Sequence, residues 1–192
     1  MKRVWLIVIS VAMGLSTFGI TALSLKGKQA GGGAIKRDLV FFGPAKAGMM
    51  KAGFNPTGSI TVFATADEQG TDKMRVEVEG LPANTDFTVF MHELSDIPFG
   101  SSEYIADLKT NNSGRGSVTV RTVILEAFAL KTAGNPPTIR LEDVNLKFVA
   151  IWFADPKDSA SFLPAGFPVL AFDGDRSSGA VVLGTMDPLP NP

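Results

Sequence analysis

The chain has 192 residues, with 18 Lys and Arg against 19 Asp and Glu, a single histidine and no cysteine. Without cysteine there is neither a disulfide nor thiol chemistry, and one imidazole, His92, cannot build a His-rich zinc or copper centre and is the only base a Ser-His-Asp triad could use. With a formal net charge of −1 and no basic stripe beyond the amino terminus, nucleic acid is not an expected partner.

Lys2 and Arg3 precede an uncharged run of 22 residues, Val4 to Leu25, and Lys26 and Lys28 follow it. At about 1.5 Å per residue a helix of this length crosses a hydrocarbon core of about 30 Å. The leading cations favour an amino terminus held in the cytoplasm and a translocated carboxy-terminal part. Two readings stay open. Residues 1–28 are a retained signal-anchor, which makes the protein a single-pass membrane protein with an extracytoplasmic domain. Alternatively they are a signal peptide, with an apolar core from Val4 to Leu15 and small residues at Ala22 and Ser24, and cleavage after Ser24 releases the domain. Residues 29–37, with Gly31-Gly32-Gly33, read as a flexible linker.

From 38 to 187 the chain reads as one domain of short strands. The expected strands are Leu39–Phe42, Ser59–Ala66, Lys73–Glu79, Asp86–His92, Tyr104–Lys109, Gly116–Thr122, Asn145–Phe153, Val169–Phe172 and Ala180–Leu183. Met74, Val76 and Val78 point inward against Arg75, Glu77 and Glu79. Phe87, Val89 and Met91 share one face of their strand, and Thr88, Phe90 and His92 the other. Residues 44–58, rich in Gly and Pro, read as loop. Val123–Leu130 is ambiguous, with one or two helical turns around Glu126-Ala127-Phe128. Asn111-Asn112-Ser113-Gly114 is a hairpin turn, and Asn111 heads a glycosylation triplet that matters only in a eukaryotic secretory pathway. The tail 188–192 is proline-rich and frayed. About eight strands without a long amphipathic helix predict an all-β antiparallel sandwich or barrel.

Several residues raise specific chemistries. His92 could pair with Asp107 as an acid–base couple or as two metal ligands; the plainer reading is a polar strand end bonded to a loop carbonyl. Asp173 and Asp175 alternate in a turn, as calcium ligands do, but Ser178 stands where an EF-hand loop needs glycine and no glutamate closes it. Glu103 with Asp107, or Asp155 with Asp158, are carboxylate pairs of the kind a hydrolase uses. Gly114-Arg115-Gly116 is too short to cradle a phosphate. Phe54, Phe99, Phe162 and Phe167 fall in loops, where aromatics either form a binding surface or fold back to close the ends of the domain.

Taken together, certain segments resemble the copper/zinc superoxide dismutase sandwich. Gly80-Leu81-Pro82 followed by Phe90-Met91-His92-Glu93 is similar to that family's Gly-Leu turn and His-x-His-Glu strand. Tyr104-Ile105-Ala106-Asp107-Leu108, with Gly114 and Gly116, is similar to its His-x-Gly-Asp-Leu segment. Val149-Ala150-Ile151-Trp152 sits where the family has a strand ending in a ligand histidine, and Val181-Val182-Leu183-Gly184 resembles its closing strand. The resemblance implies a Greek-key sandwich. It does not carry the activity: Phe90, Tyr104 and Trp152 or its neighbour stand at ligand positions, and only His92 and Asp107 survive. A looser resemblance, through Pro98-Phe99-Gly100 and Trp152-Phe153-Ala154-Asp155-Pro156, is to uncharacterised bacterial exported proteins. The expectation is a non-enzymatic envelope module without a cofactor, binding the membrane through its N-terminal segment and an envelope or extracellular partner through its loops. The alternatives are a hydrolase using loop carboxylates and a weak metal-binding protein.

Overall fold

Alternating inward and outward residues require a sheet with one face on a core, and in the computed structural model that sheet is antiparallel throughout. The structure describes residues 34–63, 72–122, 127–133, 138–167 and 178–189. The membrane segment expected at 1–28, the strand expected at Val169–Phe172 and the turn with Asp173 and Asp175 lie outside these residues. Among the described residues no helix is long and apolar enough to cross a membrane.

The strands are β1 (Ala34–Phe41), β2 (Thr57–Phe63), β3 (Asp72–Glu79), β4 (Asp86–His92), β5 (Ser102–Lys109), β6 (Gly116–Thr122), β7 (Ala127–Ala133), β8 (Thr138–Val144), β9 (Phe148–Phe153) and β10 (Val181–Gly184); two short helices are α1 (Lys46–Lys51) and α2 (Pro156–Ala160). Among the described residues eight strands form one sheet in the order β5-β4-β9-β10-β1-β2-β3-β6, and β7 and β8 pair only with each other. The edge strands β5 and β6 approach without a ladder between them, so the sheet is nearly closed. β1 begins at Ala34, so residues 34–37 belong to the sheet and not to the linker. It pairs with β2 from Ala34 to Leu39 but with β10 only at Val40 and Phe41.

Met74, Val76 and Val78 on β3 face the core as their alternation requires, with Ile60 and Val62 beside them, and Phe87, Val89, Ile151 and Phe153 belong to the same core. α1 arises inside the stretch read as loop. Its only buried residue is Met49, and a helix with one apolar anchor carries no periodic signal. α2 follows a recognisable cap: the Asp155 carboxylate accepts the Lys157 N–H at 2.8 Å, with proline at the first helical position. The ambiguous segment at 127–130 is strand, because β8 supplies its partner.

The registers sort the connections onto two ends. Ala34, the end of β2, the start of β3, the end of β6, the start of β9, the β4–β5 loop and the residues after β10 lie at one end, termed here the proximal end. The connections carrying α1, residues 80–85, residues 110–115 and α2 lie at the other, distal end. There two turns lock together. The buried Thr110 hydroxyl donates to the Pro82 carbonyl at 2.6 Å and accepts the Thr85 N–H at 2.9 Å. Leu81 N–H donates to the Gly114 carbonyl at 3.2 Å and Asn84 N–H to the Asn111 carbonyl at 3.2 Å. Leu81, 2% exposed, thereby plugs this end of the core.

Candidate functional site: an aromatic cluster on the outer face

β4 is buried on both faces. Phe87, Val89 and Met91 enter the main core, while Phe90 joins a second cluster with Ala150, Trp152 and Val181 on the outside of the sheet. Cross-strand pairing builds this layer. Tyr104 lies opposite Phe90, Phe90 opposite Ala150, Ala150 opposite Gly184, and Gly184 opposite Val40. Tyr104 and Val40 are 44% and 45% exposed, whereas Phe90 and Ala150 between them are covered. The cover includes Phe42, which follows β1, and Phe99 from the β4–β5 loop. Phe99 stands 4.5 Å from the His92 ring, 5.2 Å from Trp152 and 6.3 Å from Phe42. Its loop is held by Glu93 N–H to the Ser101 carbonyl and Leu94 N–H to the Phe99 carbonyl, both at 3.0 Å, and it contains a cis Ile97–Pro98 bond.

His92 is the polar centre of this layer. It is 2% exposed, and Trp152 Nε1 lies 3.1 Å from its Nε2 while Ser102 Oγ lies 2.6 Å from its Nδ1. An indole N–H can only donate. Nε2 is therefore the acceptor, and Nδ1 carries the hydrogen and donates to Ser102. The ring is neutral, and burial lowers its pKa from 6.5 to about 4. Ala150, small and opposite Phe90, leaves room for the indole to reach along the face to His92. In this arrangement both ring nitrogens are engaged, and neither offers a free lone pair to a substrate or an ion.

His92 and Asp107 are not brought together. His92 is level with Ser102, and Asp107, exposed, is level with Thr88, roughly 15 Å away along β5 at the usual strand rise. By contrast, Phe90, His92, Tyr104 and Trp152 do converge. Ring centroids lie 5.7 Å apart for Phe90 and His92, 6.3 Å for Phe90 and Tyr104, 6.1 Å for Phe90 and Trp152, and 5.8 Å for His92 and Trp152. They are among the positions that the resemblance to the dismutase sandwich matches to metal ligands, with Trp152 or its neighbour at the last; Asp107, another such position, stays apart. Aromatic rings fill three of them. Among the described residues no group of three or more His, Asp or Glu side chains comes together.

The remaining sequence candidates are dispersed. Phe54 and Phe162 meet edge to face at 5.7 Å at the distal end and pack against the main core, as does Phe162 on Phe153 at 5.9 Å. Phe167 lies in a turn at the same end, and Phe99 is at the proximal end. The four therefore do not share one surface. Glu103 is exposed on β5. Asp155 caps α2, and the Asp158 carboxyl in the next turn is held above the usual carboxylate range, first by partial burial and then by Asp155 and Asp86.

A further feature has no signature in the sequence. An open polar depression of about 910 Å³ crosses β1, β2, β3 and β6 at their distal half. The row Asp38, Ser59, Glu77, Ser117 runs along it in register. Glu77 pairs with Arg75 at 2.8 Å and Glu79 with Arg115 at 3.5 Å. Outward positions of strands look alike in sequence whether they line a depression or a flat face, so only the register could find it. No family model matches the chain, and no curated protein matches it.

Proposed function

We propose that this chain is a non-enzymatic extracytoplasmic module: a β-sandwich carried across a membrane by residues 1–28, and either anchored there or released by cleavage after Ser24. It serves the cell envelope by binding or by a structural role. One observation carries the non-enzymatic part. The only imidazole of the chain is neutral, buried in an aromatic layer, and bonded through both nitrogens to Trp152 and Ser102. The envelope part rests on the charge and length of the N-terminal run.

The eight strands divide, in this reading, into two four-stranded halves, β1-β2-β3-β6 and β5-β4-β9-β10, packed across the main core. The change of partner along β1 supports this, since strands that switch sheets make the corners of sandwiches. Kinship with the dismutase sandwich is part of the same reading. Its support is the convergence of Phe90, His92, Tyr104 and Trp152, which short matching motifs alone would not require. The kinship is one of architecture, with aromatic packing in the place of imidazoles.

The test is a reporter active only outside the cytoplasm, fused after Ala30, with sequencing of the mature amino terminus. Reporter activity supports the reading, and the terminus separates anchor from release. A reporter retained in the cytoplasm overturns it.

A further inference from the structure

Directly opposed residues of an antiparallel pair share a face, so the ladders of β1, β2, β3 and β6 set their outward residues on a grid. One row across the strands is Lys36, Thr61, Arg75 and Thr119, and the next is Asp38, Ser59, Glu77 and Ser117. Beyond them on β3 lie Lys73 toward the proximal end and Glu79 toward the distal end, the latter level with Thr57. The charged residues of β1 and β3 on this grid are all exposed. Charge is therefore sorted along the strands. β1 carries Lys36 and then Asp38. β3 carries Lys73 and Arg75 and then Glu77 and Glu79. The hydroxyls of β2 lie between these two columns. The open depression of about 910 Å³ covers the acidic half, with Asp38, Glu77 and Glu79 in its lining, and reaches neither Lys73 nor Arg75.

We propose that this face is a homodimer interface, whose partner is a second copy of the chain. A face with its charges sorted in this way is complementary to itself. A two-fold axis lying in the face, perpendicular to the strands and midway between the two central rows, lays each column over the same column of the second copy in reversed order. Lys36 then meets Asp38 of the second copy, Arg75 meets Glu77 and Lys73 meets Glu79, and the symmetry repeats each pairing. Thr61 meets Ser59 between them. The basic side chains of one copy enter the polar hollow over the acidic half of the other, so shape agrees with charge. Arg75 and Glu77 already pair within the chain at 2.8 Å; across the axis they join their counterparts in a network of four alternating charges. At the β6 edge Arg121 falls toward Arg115, whose charge Glu79 already balances at 3.5 Å. Sheets packed face to face keep their strand directions within about 30°. The columns, on strands about 4.8 Å apart, therefore stay over each other near the axis. Exposed ion pairs fix orientation more than they add affinity, so the dimer is salt-sensitive.

Sedimentation equilibrium of the full chain in detergent micelles tests this at about 0.02 M and about 0.5 M salt, between which the screening length falls from about 20 Å to about 4 Å. The parent is expected to dimerise, with a dissociation constant about ten-fold or more higher at the upper salt. Glu77→Lys with Glu79→Lys makes the β3 column all basic, and Lys73→Glu with Arg75→Glu makes it all acidic. Each of these chains alone is expected to be monomeric, and an equal mixture of the two is expected to dimerise. Lys46→Glu with Lys51→Glu, on α1, changes the net charge as much as the acidic variant does but leaves the face intact. It is expected to dimerise as the parent does and not to pair with the basic variant. All six positions are exposed, and circular dichroism checks that each chain is folded. A parent that is monomeric at both salts overturns the proposal. So does a dimer that either β3 variant retains alone, which places the contact elsewhere, in the N-terminal run for example. A mixture of the two β3 variants that stays monomeric overturns the column pairing. Loss of the dimer in the α1 variant, or its pairing with the basic variant, assigns the effect to net charge and overturns it as well.

Discussion

The indole N–H of Trp152 donates to Nε2 of His92 across 3.1 Å, and this one bond sets the tautomer, the charge and the pH response of the only histidine in the chain. With Nε2 occupied as an acceptor, protonating the ring breaks the bond and places a charge in an apolar layer.

The folded pKa of about 4 lies below the ordinary 6.5. The unfolded chain therefore binds the proton first, and stability falls as pH drops from about 6.5 toward 4. At pH 4.5 the loss attributable to His92 is about 2 to 3 kcal/mol relative to pH 7, from about 1.4 kcal/mol per pKa unit. Chemical denaturation at both pH values, compared with His92→Gln, reads it. The variant is expected to be less stable at pH 7 and to lose this part of the pH slope. Equal slopes for the two proteins would mean that His92 is not buried neutral.

Thr110 holds the two distal turns with one hydroxyl. Thr110→Val keeps the shape and removes the hydroxyl, leaving the Pro82 carbonyl and the Thr85 N–H without it. The expected cost is about 1 to 3 kcal/mol, the range for a buried group left without its partner. Thr57→Val, at an exposed position whose hydroxyl meets Glu79 at 3.4 Å, is expected to change stability by less than about 0.5 kcal/mol. Urea midpoints of the two variants give the comparison.

Gly114 and Gly53 both have positive φ, +70° and +88°, but a side chain at 114 would meet the Leu81 carbonyl oxygen, while nothing lies within 4 Å of one at 53. Gly53→Ala is expected to cost about 1 kcal/mol from the left-handed backbone alone. Gly114→Ala must also move the turn that carries Leu81, the distal plug, and is expected to cost at least about 2 kcal/mol more, as overpacking does. Melting temperatures that fall equally would remove Leu81 from this role.

If Phe90 and Trp152 occupy ligand positions of a metal-binding architecture, imidazoles placed there should converge on His92. The double variant Phe90→His, Trp152→His brings three imidazoles into one cluster, a ligand set sufficient for zinc with water as the fourth ligand. The expected outcome is Co²⁺ binding with the intense visible absorption of a tetrahedral site, displaced by Zn²⁺, and no such band in the parent or in Phe90→His alone. A folded double variant without the band would leave the convergence as aromatic packing only.

Much of the strand set is legible in the order of residues alone. β4 and β6 have the ends that alternation and turn residues assign to them, and β3 starts one residue earlier, at Asp72. β3 and β6 alternate strictly and β4 keeps Phe87, Val89 and Met91 at every second position, with Gly, Asn or Asp near their ends, so local pattern suffices. α1 is not legible, since its helix turns on Met49 alone. β7 and β8 are not, since a short apolar run is strand or helix according to what pairs with it. Alternation assigns the faces of β4 correctly, yet both are buried. It tells which residues share a side and not what covers that side.

By itself, the amino-acid sequence determined the composition limits, the apolar run behind Lys2 and Arg3, and an all-β antiparallel domain, because charge, length and period-two alternation are local properties. The tertiary structure alone decided the rest. It placed His92 beside Trp152, 60 positions later in the chain, and left Asp107 far down its strand. It also sent the β4–β5 loop, with Leu94 and Ile97, to the end of the sheet where β1 begins. Each of these depends on strand order and register, which are set by how the whole sheet closes around its core.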